Sequence, residues 1–463
     1  MPGFELPPDL MVSVSGVRGR VGESLTPDVV ARFACAFGSY LRERTDRPKV
    51  VLGRDSRTSG PLFARIVTGS LQAVGCDVID VGLVPTPTVL FAIRHHQADG
   101  GIVVTASHNS VEWNALKLAS HEGMFLDAEQ ALRMRAYVAD KPMRWATWDT
   151  LGEASVDAEA ATRHIDAVLS TPYIDVDALR ARRFKVALEL VRGAGAAVLP
   201  PLLERLGCEV FPLNDVPDGR FTRPPEPVAE NLGELEALVR DSGADVGMAT
   251  DPDADRLSLV SDEGRAVGED YTLALAARLV LAHREGPVVT NLSSSRVIED
   301  VALAAEVPFV RAAVGEINVA RRMQELDAVI GGEGNGGVIL PDVHHTRDAA
   351  VAAALVLQLM LEDGRALHEI VADSTPYAIV KDKLPRGESS DLSEVYRRLQ
   401  SEFGAPDADL QDGLRLSWPD ERRWLHFRAS GTEPILRIIA EARDEAGAKA
   451  MVAQARAVMD SRP

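Results

Sequence analysis

The stretch Gly100-Gly-Ile-Val-Val-Thr-Ala-Ser-His-Asn109 is an apolar run that passes directly into a polar loop. Its first half has the β-branched, unalternating character of a strand covered on both faces. Upstream, Lys49-Val-Val-Leu-Gly53 and Gly75-Cys-Asp-Val-Ile-Asp-Val-Gly82 read as strands, with a helix-like segment from Gly60 to Val74 between them. The order then returns. Phe184 to Leu188 reads as a strand, Ala194 to Leu206 as a helix and Gly207 to Leu213 as a strand, and Ala244-Asp-Val-Gly-Met248 enters another polar loop. A third copy has strands at Pro287–Asn291 and Val307–Arg311 and helices at Ser294–Ala305 and Asn318–Glu325, and Ala328-Val-Ile330 leads into a glycine-rich loop. Three β-α-β units predict three related α/β domains with mixed sheets. In such sheets ligands gather outside the carboxyl ends of the strands, which is where the three loops fall.

From about Ala372 the rhythm changes. Strand-like pieces at Tyr377–Val380, Leu414–Trp418, Trp424–Arg428 and Leu436–Glu441 accompany helical stretches at Leu392–Phe403 and Glu445–Met459. This predicts a smaller α+β domain. The expected division is 1–157, 158–262, 263–371 and 372–463, with the four domains around a central cleft.

The 463 residues carry 50 Lys+Arg against 69 Asp+Glu, a net charge of −19. That sign argues against nucleic acid or an anionic membrane as a partner held by bulk charge, while leaving room for a small phosphorylated ligand held by a few local cations. Cys35, Cys76 and Cys208 are odd in number and far apart, which fits neither a disulfide framework nor a zinc site. The N-terminal residues lack the basic and apolar stretches of a signal peptide. The longest apolar run, Ala349 to Leu361, is too short to span a bilayer. The expectation is a cytoplasmic protein. A homodimer is left open.

Each loop carries chemistry. Ser107, at the end of a strand, is a nucleophile if something activates it; His108 adjoins it and Lys117 follows ten residues on. The same residues also suit a helix cap. Asp251-Pro-Asp-Ala-Asp-Arg256 places Asp251, Asp253 and Asp255 at alternate positions, where their mutual repulsion is relieved most simply by a divalent cation. An EF-hand is excluded, since its sixth and twelfth positions are Arg256 and Asp262 instead of Gly and Glu. Gly331-Gly-Glu-Gly-Asn-Gly-Gly337 offers Glu333 and Asn335 for hydrogen bonding to sugar hydroxyls, and it lacks the Lys-Ser/Thr ending of a Walker A loop. Arg428-Ala-Ser-Gly-Thr-Glu-Pro434, with Arg437 beyond, combines guanidiniums, hydroxyls and backbone N–H groups suited to phosphate. Arg18 lies in a glycine-flanked loop, Ser15-Gly-Val-Arg-Gly-Arg20.

The loops and their order resemble the α-D-phosphohexomutase superfamily, with its Thr-Ala-Ser-His-Asn, Asp-x-Asp-x-Asp-Arg, Gly-Glu and Arg-x-Ser-Gly-Thr-Glu-Pro motifs, and the likeness runs from Ser15 to Arg437. The resemblance implies an isomerase that interconverts hexose 6-phosphates and hexose 1-phosphates through a phosphoserine and a bisphosphorylated sugar. Ser107 would carry the phosphoryl group. Asp251, Asp253 and Asp255, with the Ser107 phosphate, would hold Mg²⁺. Lys117 and His108 would support proton transfer, and Arg18 and Arg256 would contact the transferred phosphate. Glu333 and Asn335 would grip sugar hydroxyls. Arg428, Ser430, Gly431, Thr432 and Arg437 would bind the phosphate that is not reacting, on a fourth domain expected to move.

Two positions depart from the pattern. Ser110 replaces a usual proline, and Gly337 stands where many relatives have histidine; His344 and His345 are candidates to compensate, with a structural role as the alternative reading of both. Glu112 to Leu118, Val314-Gly-Glu-Ile-Asn318 and the glycine loop look like the branch that uses glucosamine phosphates, with Glu316 facing the sugar's amino group. Glucose and mannose phosphates are the alternative substrates. A metal-dependent sugar phosphatase is a further reading that lacks the expected histidine cluster.

Overall fold

The computed structural model describes residues 5–385, 392–404, 407–429 and 435–460. Ser430, Gly431 and Thr432 lie outside the described residues.

In the first three domains one strand arrangement is used three times. In domain I the parallel strands Asp77–Leu83, Lys49–Arg54 and Gly100–Val104 lie side by side, and Trp113–Ser120 returns antiparallel to the last. Domain II repeats this with Glu209–Leu213, Lys185–Glu189, Val246–Thr250 and the returning Leu257–Ser261. Domain III repeats it with Phe309–Ala312, Val288–Asn291, Ile330–Glu333 and Gly337–Ile339. The serine, aspartate and glycine loops are thus the same hairpin connection, each at the carboxyl end of the parallel strand that borders the returning antiparallel strand. Domain I adds Met11–Ser13, Gly16–Arg20 and Ala154–Val156 at its edges, making seven strands.

The fourth sheet is antiparallel, in the order Ala378–Pro385, Ile435–Ala442, Arg423–Ala429, Leu414–Trp418, Asp407–Asp409. Leu399 and Val395 of the helix Leu392–Glu402, and Met451 and Ala455 of Glu445–Asp460, cover its apolar side chains. The predicted element types recur with small shifts of boundary. One helix does not. The segment expected as a single helix over Ala194–Leu206 is a 3₁₀ turn at Ala194–Ala197 followed by a helix at Leu199–Arg205. Pro200 and Pro201 supply no N–H, so they are tolerated only in a first helical turn, and the helix has to start anew at them.

Domains II and III share one large apolar core, while domain I has its own. The apolar run near residue 349 is the helix Ala349–Asp363, which is buried over its first twelve residues and packs beside Glu269–His283 at the centre of the shared core. Among the described residues no helix is long and apolar enough to cross a membrane. Cys35, Cys76 and Cys208 are all free thiols.

Candidate active site

The serine loop is shaped by a buried arginine. Arg57 donates Nη2 to the carbonyls of Ser107 and Asn109 (2.6 Å each) and Nη1 to those of Ser110 (2.6 Å) and Trp113 (2.9 Å). Its Nε is held by Asp55 at 3.0 Å, and Asp55 also accepts from Thr105 Oγ1 at 2.6 Å. Thr105 in turn accepts the Ser107 N–H at 2.9 Å. Neither Arg57 nor Asp55 is exposed. The serine itself sits at φ +48°, in the left-handed region that non-glycine residues rarely adopt. That turn directs Ser107 Oγ across the domain boundary to Asp251 Oδ2, 2.9 Å away. His108 Nδ1 is 3.4 Å from the same hydroxyl.

Asp251, Asp253 and Asp255 are fully buried and offer oxygens within 4.8 Å of one another. Ala254 between them has φ +49°, which tightens the turn. Lys117 Nζ lies 2.7 Å from Asp253 Oδ2 and 3.7 Å from Asp255 Oδ2, and Thr86 Oγ1 donates to Asp253 Oδ2 at 2.6 Å. Strand register explains how Lys117 and Arg18 share a face: Gly16 pairs with Lys117 and Arg18 with Ala115. Arg18 Nη1 donates to Asn109 Oδ1 at 2.6 Å, and Arg256 Nη1 to Glu226 Oε1 at 3.1 Å.

The carboxylates retain oxygens that a cation would satisfy. Asp253 Oδ1 and Asp255 Oδ1 are buried without a hydrogen-bond partner. Burial, then the charges of Asp255 and Asp253, push the Asp251 carboxyl well above its usual range. Burial also acts on Asp253, but the Lys117 ammonium and the Thr86 hydroxyl outweigh it and hold that carboxyl down. Burial opposes the charge on Lys117, and Asp253 and Asp255 more than offset it, so the ammonium persists. His108 is held well below its usual value, first by the Arg256 charge and then by burial. A hard divalent cation with oxygen ligands fits this donor set.

The glycine loop docks on the aspartate loop. Gly336 has φ +86°, its carbonyl accepts the Leu257 N–H at 2.9 Å, and a Cβ there would lie 2.4 Å from the Leu257 carbonyl oxygen. Glu333 is pinned through Oε1 by Asn291 Nδ2 (2.8 Å) and the Gly315 N–H (3.2 Å), and through Oε2 by Arg347 (2.8 Å) and Asn335 Nδ2 (3.4 Å). Burial would raise its carboxyl, but Arg347 and Asn291 hold it below its usual range. Glu316 is buried and committed within the protein: Thr346 Oγ1 and the Arg347 N–H reach Oε1, and Arg347 Nε reaches Oε2. His344 and His164 both donate to Asp348 Oδ2 (2.9 and 2.7 Å) in a separate buried cluster. His345 lines a surface cavity of about 400 Å³ with Arg284 and Asp327. The atoms nearest the space above Gly337 belong to Arg347 and Asn335, and neither histidine fills it.

In domain IV, Arg428 and Arg437 face each other directly across two strands. Arg428 pairs with Asp412 at 3.0 Å, and Asp412 also accepts the Val314 N–H of domain III at 3.1 Å. Further clips join the two domains: Ser293 Oγ to His426 Nδ1 at 2.9 Å, and Arg415 Nε to the Leu292 carbonyl at 2.9 Å. Glu441 accepts both the Arg296 N–H (3.0 Å) and Trp424 Nε1 (2.8 Å).

The arrangement joins a serine hydroxyl, a buried acid cluster and the buried carboxylate of Glu333, with a pair of arginines on the fourth domain. Four family profiles match in the same order: phosphoglucomutase/phosphomannomutase alpha/beta/alpha domain I over residues 10–144, domain II over 162–264, domain III over 268–377, and the C-terminal domain over 381–458. The chain is similar to a phosphoglucomutase/phosphomannomutase of Thermococcus kodakarensis, with 38% identity covering 94% of this chain and 95% of the relative. It is equally similar, at 38%, to a protein of Methanopyrus kandleri named probable phosphoglucosamine mutase, covering 94% of each. Its fold resembles a phosphoglucomutase/phosphomannomutase family protein from Burkholderia thailandensis, with TM-score 0.84, 24% identity and 97% of each chain covered. These findings define an α-D-phosphohexomutase, an isomerase acting on hexose phosphates. The chain belongs to the phosphoglucomutase/phosphomannomutase family.

Sequence reasoning singled out the four loops but missed the side chains that hold them. The roles of Arg57, Asp55, Thr86, Asn291 and Arg347 appear only in the fold. No local spacing marks them, since their partners lie 14 to 167 residues away or, for the Asp55–Arg57 pair, two residues apart in a loop after the strand.

Proposed function

We propose that the enzyme interconverts glucosamine 6-phosphate and glucosamine 1-phosphate through a phosphorylated Ser107 and a bisphosphorylated sugar. The observation that carries this reading is Ser107 Oγ at 2.9 Å from Asp251, beside two buried carboxylate oxygens that lack partners. Mg²⁺ held by Asp251, Asp253 and Asp255 would neutralise charge on the transferred phosphoryl group.

The chain's own residues do the rest. A sugar hydroxyl bonds to phosphorus as the bond from phosphorus to Ser107 Oγ breaks. Arg18 and Arg256 bear on the phosphoryl oxygens, and Lys117, fixed as an ammonium, stabilises the charge that builds there. The phosphate on Ser107 adds negative charge beside His108, restoring the proton affinity that Arg256 suppresses, so the imidazole takes up the hydroxyl proton and passes it to Ser107 Oγ as that oxygen departs. Glu333 and Asn335 orient the sugar. Arg428 and Arg437, with Ser430, Gly431 and Thr432, hold the phosphate at the far end. The bisphosphate turns over, and its other phosphoryl group returns to Ser107 Oγ as the proton returns to the leaving hydroxyl.

Glucose and mannose phosphates form the second reading, because the relative with that activity in its name is as similar as the one named for glucosamine phosphate. A coupled assay comparing glucosamine, glucose and mannose phosphates at fixed Mg²⁺, with a trace of hexose bisphosphate, separates them by kcat/KM. Intact-mass measurement is expected to show one phosphate, lost in Ser107→Ala. Inorganic phosphate as the main product, or full mutase activity in that variant, overturns the reading.

A further inference from the structure

Arg347 reaches three acids at once. Nη2 donates to Asp255 Oδ2 at 2.6 Å, Nη1 to Glu333 Oε2 at 2.8 Å and Nε to Glu316 Oε2 at 3.2 Å. Its side chain is only 8% exposed. One planar guanidinium therefore spans the aspartate loop of domain II and the glycine loop of domain III, a geometry that the fork of arginine allows and a single ammonium does not. The route of the side chain matters as much as its end. A Cβ built on Gly337 would lie 2.2 Å from Arg347 Cδ and 2.8 Å from Cγ. The arginine thus runs through the volume that any side chain at 337 needs. Its backbone is fixed from behind: Asp348 caps the next helix through Ala350 N (2.8 Å), and the same carboxylate takes hydrogen bonds from His164 and His344. Thr88 Oγ1 of domain I lies 2.9 Å from the other ring nitrogen of His164.

We infer that Arg347 is a positioning residue that locks the sugar-gripping carboxylate to the metal-binding loop, and that Gly337 is its necessary companion. This rests on the roles given above to Glu333 and Asp255. Two opposed effects follow from the charges. The guanidinium partly neutralises Asp255, so its removal leaves the acid cluster more negative and draws a divalent ion more strongly. The same removal takes the cation from Glu333 and leaves its Oε2 with the long Asn335 contact alone while Oε1 stays on Asn291 and Gly315, so the carboxylate is less well oriented and a phosphorylated sugar binds less well.

The test uses the full chain on a Ser107→Ala background, so that no turnover is needed. Mn²⁺ alone is titrated by electron paramagnetic resonance, and glucosamine 6-phosphate by calorimetry. Arg347→Gln is expected to tighten Mn²⁺ binding several-fold and weaken the sugar phosphate ten- to a hundredfold. Gly337→Ala keeps every charge but forces the arginine aside, and it is expected to shift both affinities in the same directions; it serves alone if Arg347→Gln does not fold. Arg347→Lys is expected to restore one affinity and not both. Both ligands weakening together, as general loosening would cause, or neither changing, overturns the inference, as does full restoration by lysine. Opposed shifts in a protein without mutase activity would uphold the lock while refuting the proposed reaction.

Discussion

Lys117 Nζ and Asp253 Oδ2 meet at 2.7 Å across a separation of 136 residues, joining the returning strand of domain I to the acid loop of domain II. The ammonium stands at the rim of three buried carboxylates and supplies part of the positive charge they require. Replacing it with methionine leaves that charge to the proposed Mg²⁺. Turnover of Lys117→Met is expected to fall by about 10²- to 10⁴-fold. Added Mg²⁺ is expected to raise its melting temperature by more than it raises that of the parent, and equal increments in calorimetric scans would contradict this account.

Ser107 spends conformational energy to aim its hydroxyl. At φ +48° a residue with a Cβ carries strain of about 1 kcal/mol that glycine avoids. Ser107→Gly is therefore expected to be inactive yet to have a higher urea midpoint than Ser107→Ala. A lower midpoint for the glycine variant would show that the turn is not strained.

Arg57 is the staple of the serine loop. Its loss leaves Asp55 buried without its cation and four loop carbonyls without their donor. Arg57→Gln is expected to cost about 3–5 kcal/mol in equilibrium denaturation. The loop between 105 and 113 should become the first site cut by protease. A cost below about 1 kcal/mol would refute the assignment.

Asp270 gives the fold a pH dependence. Its Oδ1 accepts the Ser295 N–H at 2.7 Å beneath the glycine loop, and burial lifts its carboxyl to about 7. Because the folded value lies above the unfolded one, near 3.8, the folded state favours the protonated acid. The stabilisation is complete below pH 3.8, declines as the pH rises towards 7, and is gone above it. Asp270→Asn keeps the acceptor and removes the ionisation. Its melting temperature relative to the parent is expected to climb between pH 4 and 8, by an amount corresponding to about 4 kcal/mol at most. A difference that stays flat with pH would be inconsistent with a buried, titrating Asp270.

The fold was legible because its signals are local. Strands covered on both faces write continuous apolar runs such as Gly100–Val104, and the same order of strand, helix and loop recurs three times. The acid cluster was legible for the same reason: Asp251, Asp253 and Asp255 lie on one short turn. What the sequence could not disclose is pairing at a distance. Glu316 looked like a free carboxylate for an ammonium, yet its oxygens are occupied by Thr346 and Arg347, thirty residues on. His344, a candidate for the place of the histidine missing at Gly337, is tied to Asp348 instead. Polarity alone predicts that a side chain needs partners without saying which ones it finds.

The Ser107–Asp251 contact joins positions 144 residues apart, and the Arg347–Asp255 contact joins positions 92 apart. During synthesis the serine loop and its Arg57 staple are therefore complete while the acids that face them are still untranslated. A nascent or truncated chain ending before Asp251 displays a serine with no charged cluster to act with it. One ending before Arg347 has the acids without their bridge to Glu333. The two halves of the serine–acid contact are thus made at different times, and only a chain extended past Asp255 can bring them together.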